Sequence, residues 1–399
     1  MTSIFESVEL APRDPILGLT EQYNADNRAE KVNLGVGVYY DDEGRIPLLK
    51  AVREAEAARV AAAAPRGYLP IEGLGTYNKG AQTLLLGKDS ELIASGRALT
   101  VQTLGGTGAL KIGADFLRQL QPNAKVVISN PSWENHRALF ERAGFTVETY
   151  PYYSAQTHGL DFDGMVGALK ALPKGTIIVL HACCHNPTGV DPTFEQWKVI
   201  AEAVKDAQLV PFLDIAYQGF GDGLEEDASV VRLFANLGLT MLISSSFSKS
   251  FSLYGERVGA LTLVCGSADE NKRVLSQVKR VIRTNYSNPP THGGSVVSAV
   301  LNTPELFQQW SNELAGMRNR IRDMRSQLVQ KLKDHGVKQN FDFVLAQRGM
   351  FSYSGLTADQ VDRLRNEFGI YAVGSGRICV AALNSRNIDY VAKAVAQVV

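Results

Sequence analysis

The sequence predicts an α/β fold: a mainly parallel sheet with helices on both faces, joined to a smaller α+β unit. Three observations carry this. Short apolar runs bounded by turn residues alternate with helical patterns between about residues 98 and 265, the rhythm of strands linked by crossover helices. Polar residues that look out of place, Asp214 and Lys249 above all, lie at the ends of those apolar runs, and ligands in such sheets sit beyond the carboxyl ends of the strands. Nearer the end of the chain, one apolar stripe of about thirty residues marks a helix long enough to link two units.

Composition narrows the function classes. A chain of 399 residues suits roughly two to three domains, and 45% hydrophobic with 21% charged residues is the balance of an ordinary globular protein. The 41 acidic and 41 basic residues cancel, which argues against a nucleic-acid surface or a polybasic membrane anchor. The opening MTSIFESVELAPRDPILGL lacks the basic start and apolar core of a signal peptide. No apolar run approaches the ~20 residues of a membrane span. Cys183 and Cys184 are adjacent while Cys265 and Cys379 are scattered; this is no disulfide framework, and the cytoplasm is the expected compartment.

Taken in order, residues 1–14 carry apolar side chains with little periodicity. KVNLGVGVYY reads as a short strand and a glycine turn, where Gly37 permits a positive φ or a close backbone approach. The alanine-rich LLKAVREAEAARVAAAA, from about Leu48 to Ala64, is a helix stopped by Pro65. Strand ALTVQT, helix GGTGALKIGADFLRQL, strand KVVISN, a helix from about Trp133, strand GTIIVL and a helix around Phe194 to Lys205 follow. LVPFLD, MLISSS and GALTLVC are further buried strands. Thr303 as N-cap, Pro304 at the first helical position and Glu305 next open the long helix. Its stripe of Leu306, Trp310, Leu314, Met317, Ile321, Met324, Leu328 and Leu332 is core; at 1.5 Å per residue it runs about 45 Å. RGMFSYSG, YAVGSGRICVAAL and a terminal helix close the chain as an α+β unit.

Several motifs carry chemistry. The GGTG at 105–108 lacks the GxGxxG spacing of dinucleotide sites and no GK[ST] follows. What remains is a helix N-terminus with free N–H groups, suited to one phosphate. His181, Cys183, Cys184 and His185 cluster in five positions, but they form no CxxC pair and no second ligand pair appears, so no metal is expected. Lys249 follows a buried strand and sits among Ser246, Ser248 and Arg257. A lysine there loses ammonium hydration, its pKa falls, and the neutral amine becomes available for a Schiff base. The hydroxyls and the guanidinium suit a phosphate group. A lysine snorkelling to water gives the same local pattern and would be preferred on that pattern alone; a second buried charge upstream, Asp214, shifts the balance. A lone carboxylate at a strand end needs a partner, and a protonated pyridine nitrogen supplies one while keeping the ring an electron sink. The pair points to pyridoxal 5′-phosphate, with Tyr217 able to donate to the ring oxygen.

NLGVGVYY, GYLPIEGL, GGTGALK, NPSWENH, CCHNPTG, FLDIAYQGF, SFSKSFSLYGERVG, RTNYSNPP, RGMFSYSG and SGRICVA follow one another across essentially the whole chain. In these motifs, their order and their spacing, the sequence resembles the fold-type I pyridoxal-phosphate aminotransferases of the aspartate and aromatic amino acid group, and most of all the bacterial aromatic-amino-acid branch. The resemblance implies a mainly parallel seven-stranded sheet with helices on both faces in a large cofactor-binding domain, residues 47–316. It implies a small α+β domain of residues 15–46 and 317–399, and an arm of residues 1–14 reaching the partner subunit of a homodimer. Lys249 would carry the cofactor as a Schiff base and act as general base and acid. Gly105, Gly106, Thr107, Ser246 and Arg257 would hold its phosphate, Trp133 would stack on the ring, and Asn186 and Tyr217 would donate to the phenolic oxygen. His136 would orient Asp214 from behind. Tyr68 would reach the phosphate of the neighbouring subunit's site.

For the substrate, the resemblance assigns the α-carboxylate to Arg377, with the backbone of Gly37 close to it and Trp133 and Asn186 bordering it. Arg283 of the neighbouring subunit would meet a second carboxylate or swing aside for an aromatic ring. Family members hold Asn130–Pro131 and Asn186–Pro187 in cis. Tyr40 and Ile46 stand where aspartate-restricted members carry a basic and a small polar residue, which favours aromatic substrates. The expected reaction is ping-pong transfer from tyrosine or phenylalanine, with tryptophan weaker and aspartate and glutamate also used, to 2-oxoglutarate. A plain aspartate aminotransferase is the alternative, and a catalytically idle cofactor-binding fold is a reading from a different class.

Overall fold

A computed structural model of the chain describes residues 3–14 and 16–399. Residues 1 and 2 of the expected arm, and residue 15 at its boundary with the expected small domain, lie outside the described residues. The strands are β1 (Val32–Asn33), β2 (Ala98–Leu104), β3 (Lys125–Asn130), β4 (Thr146–Pro151), the hairpin β5 (Tyr153–Ser154) and β6 (Gly159–Leu160), β7 (Ile177–His181), β8 (Val210–Ile215), β9 (Met241–Ser246), β10 (Val258–Val264), β11 (Phe351–Tyr353), β12 (Ile370–Tyr371) and β13 (Arg377–Cys379).

Seven of them form the central sheet, in the order β2-β10-β9-β8-β7-β3-β4. β4, β3, β7, β8 and β9 run parallel to one another. β10 is antiparallel to both of its neighbours, β9 and β2. The reason is the short turn from Phe247 to Arg257, which leaves no room for the crossover helix that a parallel return needs. Alternate residues of the inner strands feed two different cores. In β7, Ile177 and Val179 belong to one apolar cluster and Ile178 and Leu180 to the other. In β8, Phe212 and Leu213 divide in the same way. Both faces are therefore covered, which is why these strands read as continuous apolar runs rather than as alternation.

The helix expected from Leu48 to Ala64 spans Lys50–Ala61, and the one expected around Phe194 spans Phe194–Asp206 behind a reciprocal Thr193/Gln196 capping box. The long helix spans Pro304–Asp334 with Thr303 at its N-cap, although the Thr303 hydroxyl makes no capping hydrogen bond. Trp310 on this helix is fully buried, donates from Nε1 to the Ser250 carbonyl at 2.7 Å and stacks on Phe251 at 4.4 Å. The helix is thereby pinned under the turn that carries Lys249. Beyond it, β11 pairs with β13, and β12 pairs in parallel with β1 near the N-terminus. A helix at Leu17–Ala25, not expected from the sequence, packs beside that small sheet. Among the described residues no helix is long and apolar enough to cross a membrane.

Candidate active site

A cavity of about 370 Å3 opens at the carboxyl ends of β7, β8 and β9, roofed by the segment around Gly37 and by Phe351 and Arg377. Gly37, Gly106, Thr107, Trp133, Asn186, Asp214, Tyr217, Ser246, Lys249, Arg257 and Arg377 all line it. One wall thus gathers residues from distant parts of the chain.

Lys249 sits in the turn after β9, its Nζ 4.9 Å from the centre of the Tyr217 ring. Burial strips water from the ammonium, the Asp214 carboxylate partly restores it and Arg257 opposes it; the balance brings Lys249 down to about 8. Asp214 is the penultimate residue of β8 and is nearly inaccessible. Burial alone would push its carboxyl up, but the hydrogen bond from His136 and the nearby charge of Lys249 hold it below the usual range. His136 Nε2 lies 3.0 Å from Asp214 Oδ2, and its Nδ1 meets Ser132 Oγ at 3.0 Å and His181 Nε2 at 3.3 Å. Behind them His181 stacks on His185 at 4.3 Å. Burial keeps both rings neutral. Burial also pushes the Tyr217 phenol well up, against the pull of Arg377, so its hydroxyl keeps its proton and can donate.

At one end of the cavity the helix Gly105–Leu120 begins immediately after β2, with Gly105 at φ +67°. Its amide donates to the Arg257 carbonyl at 2.9 Å, and Arg257 itself is left-handed at φ +55°. A side chain at Gly105 would strike the Arg257 guanidinium, with a Cβ only 2.6 Å from Nη2. Arg257 Nη1 approaches Ser248 Oγ at 3.4 Å, and the Ser246 and Ser248 hydroxyls are 3.2 Å apart. A guanidinium, two hydroxyls, Thr107 and a helix N-terminus therefore converge.

At the other end Arg377 is almost wholly buried, yet among the described residues no carboxylate pairs with it. Nη1 donates to Asn186 Oδ1 at 3.1 Å and Nη2 to the Gly35 carbonyl at 2.5 Å, while Nε has no partner. The guanidinium lies over the Phe351 ring at 4.3 Å. Such a cation has room and need for an anionic ligand.

Tyr68 and Arg283 are not brought to this cavity. Tyr68 is 95% exposed, and Arg283 is exposed on the helix Ala268–Asn285, touching Ser287. Tyr40 and Ile46 also stand outside the lining, Tyr40 half-buried and Ile46 exposed. Sequence reasoning missed Tyr254, Phe351 and His181 as lining residues. The first two lie inside stretches already singled out, SFSKSFSLYGERVG and RGMFSYSG, and nothing in their spacing marked which way they face. Cys183, Cys184 and Asp227 bring ligand atoms within 4.8 Å of one another. Asp227, however, spends both oxygens on backbone amides, and the Cys183 thiol is pushed up by its contact with Cys184 and by burial.

A family model described as aminotransferase class I and II matches residues 29–395. An aspartate aminotransferase of Pseudomonas aeruginosa is 65% identical, over 99% of this chain and 100% of that protein. An aromatic-amino-acid aminotransferase of Escherichia coli is 52% identical, over 99% of this chain and 100% of that one. A solved aromatic-amino-acid aminotransferase from Burkholderia pseudomallei, covalently bound to pyridoxal phosphate, superposes with a TM-score of 0.98 at 67% identity over the full length of both chains.

Proposed function

The chain belongs to the class I and II aminotransferases, and on that premise we propose that it transfers the amino group of tyrosine, phenylalanine and, more weakly, tryptophan to 2-oxoglutarate, with aspartate and glutamate also used. The observation that carries this reading is the placement of Lys249 and Asp214 in one cavity between two cationic ends, Arg257 and Arg377.

The residues fit pyridoxal 5′-phosphate. The Gly105 cradle, which any side chain would fill, and the donors of Thr107, Ser246, Ser248 and Arg257 suit a phosphate. Asp214, kept ionised, suits a protonated ring nitrogen, and Trp133 offers a flat apolar surface. When bound, the group supplies a sink for the electrons left at the substrate's α-carbon. Lys249 would hold it covalently through its amine and, once displaced, would carry the proton to and from the α-carbon. Tyr217 and Asn186 would donate to the ring oxygen. Arg377 would take the substrate α-carboxylate and so aim the Cα–H at the lysine.

Within the same reading the protein is a homodimer whose Tyr68 and Arg283 serve the neighbouring site, in the cytoplasm. Residues 15–46 with 317–399 form the small domain that closes over the substrate bound to residues 47–316. A restricted aspartate aminotransferase is the second reading, favoured by the name of the 65% identical relative.

One experiment separates them. Phenylalanine alone is added to the purified cofactor-bound protein, and the visible absorbance of the lysine-bound cofactor is followed. Loss of the band with phenylalanine and with aspartate supports dual use. If aspartate bleaches it and phenylalanine does not, the second reading stands; if neither does, the aminotransferase activity itself fails.

A further inference from the structure

We infer that Asp227, acting with Arg318 and Arg322, is a positioning residue that sets the hydroxyl of Tyr217 by clamping the turn that follows it. The inference rests on the role given to Tyr217 above.

Tyr217 opens a tight turn, its carbonyl accepting from the Phe220 amide at 3.0 Å. The next stretch, Gly219 to Asp222, has no regular secondary structure, and a buried turn must find partners for its backbone groups elsewhere. It finds them in three charged side chains. Asp227 Oδ2 accepts the amides of Gly219 and Gly221 at 2.8 and 2.9 Å, and Oδ1 accepts that of Asp222 at 2.8 Å. Arg318 donates to the Gly219 carbonyl at 2.9 Å, and Arg322 to the Gly221 carbonyl at 2.8 Å. Gln218 is tied to the carbonyl of Leu224 at 2.9 Å. The fit is close on both sides: a Cβ at Gly219, whose φ is +93°, would lie 2.3 Å from Leu314, and one at Gly221 2.5 Å from Asp227 Oδ1. Amides are held from the helix Leu224–Asn236 and carbonyls from the long helix. A side chain at the mouth of a turn fixed in this way has little freedom to drift.

The other groups facing Asp227 do not neutralise it. The thiols of Cys183 and Cys184 are buried and stay protonated, and Asp191 adds a like charge. Burial pushes the Asp227 carboxyl above the ordinary value, and the amides of the turn pull against that rise. Replacing one oxygen by an amide sets a donor against at least one of the three backbone amides that the carboxylate now accepts.

The test is a double-mutant cycle read on the absorbance of the bound cofactor against pH. Tyr217→Phe removes a donor to the ring oxygen, which makes the lysine-linked nitrogen easier to protonate and raises the midpoint, by about one pH unit for a hydrogen bond to a charged acceptor. Asp227→Asn is expected to raise it by part of that amount, and to add nothing in the Tyr217→Phe background. Arg318→Gln is the second probe, used in the same cycle should Asp227→Asn fold poorly. Equal added shifts with and without the tyrosine hydroxyl, or a fall in melting temperature with no movement of the midpoint, would overturn the clamp. An unmoved midpoint in Tyr217→Phe itself would sink the reading of Tyr217, and the clamp with it, by a separate and recognisable result.

Discussion

Lys249 and Asp214 share one cavity, and burial favours the neutral form of each; it brings the lysine down, whereas at Asp214 the hydrogen bond from His136 offsets it and keeps the carboxylate charged. In cofactor-free protein the lysine is therefore a stability cost with a defined pH window. Its ordinary value of 10.5 falls to about 8 in the fold. Below pH 8 both states bind the proton and the cost is complete; between 8 and 10.5 the unfolded chain binds more protons than the folded one, so stability rises with pH. Lys249→Met should accordingly raise the melting temperature of the cofactor-free protein at pH 7, by an amount that shrinks as pH climbs from 8 towards 10.5. A gain that does not vary with pH would mean that packing, not charge, is responsible. Both residues were legible because a charge at the end of an apolar strand needs a reason. Tyr254 and Phe351 were not, because aromatic side chains belong equally in a core and in a cavity wall, and only the assembled fold says which.

Helix ends show the same division between local and distant causes. Thr193 and Gln196 cap their helix reciprocally and could be read in place. The helix Lys50–Ala61 has Leu49 at its N-cap, which offers no side-chain acceptor. Glu313 of the long helix supplies it, accepting the amides of Lys50 at 2.6 Å and Ala51 at 3.1 Å. That cap is invisible in the local sequence, and it accounts for a helix start later than the expected Leu48. Glu313→Ala should cost about 1 kcal/mol, the usual value of an N-cap, read from the denaturant midpoint; Glu313→Gln should recover part of it. No loss in either variant would show that water satisfies those amides equally well. The direction of β10 is a comparable case. Its apolar run announced a strand, but its antiparallel course follows from the brevity of the turn behind it.

At the scale of the whole molecule, Tyr68 and Arg283 stand exposed and away from the cavity. No periodicity in a single chain marks a residue that serves a neighbour, so only resemblance could single them out. If they do so, two defective chains complement each other. Lys249→Ala removes the lysine of its own site and leaves Arg283 intact for the partner; Arg283→Ala does the reverse. Co-expression should restore aspartate turnover that neither chain shows alone, whereas independent sites would give no gain beyond the sum of the parents. The sheet order bears on how the molecule comes into being. β2 is the first strand of the central sheet to be synthesised, but its neighbour β10 is the last, so Leu104 waits for Val258. The helix N-terminus at Gly105 and the guanidinium of Arg257 meet across that same seam. If Gly105 and Arg257 hold the phosphate as proposed, a nascent chain would gain this cradle only when the closing strand has left the ribosome, and capture of the phosphate would report that the large sheet is complete.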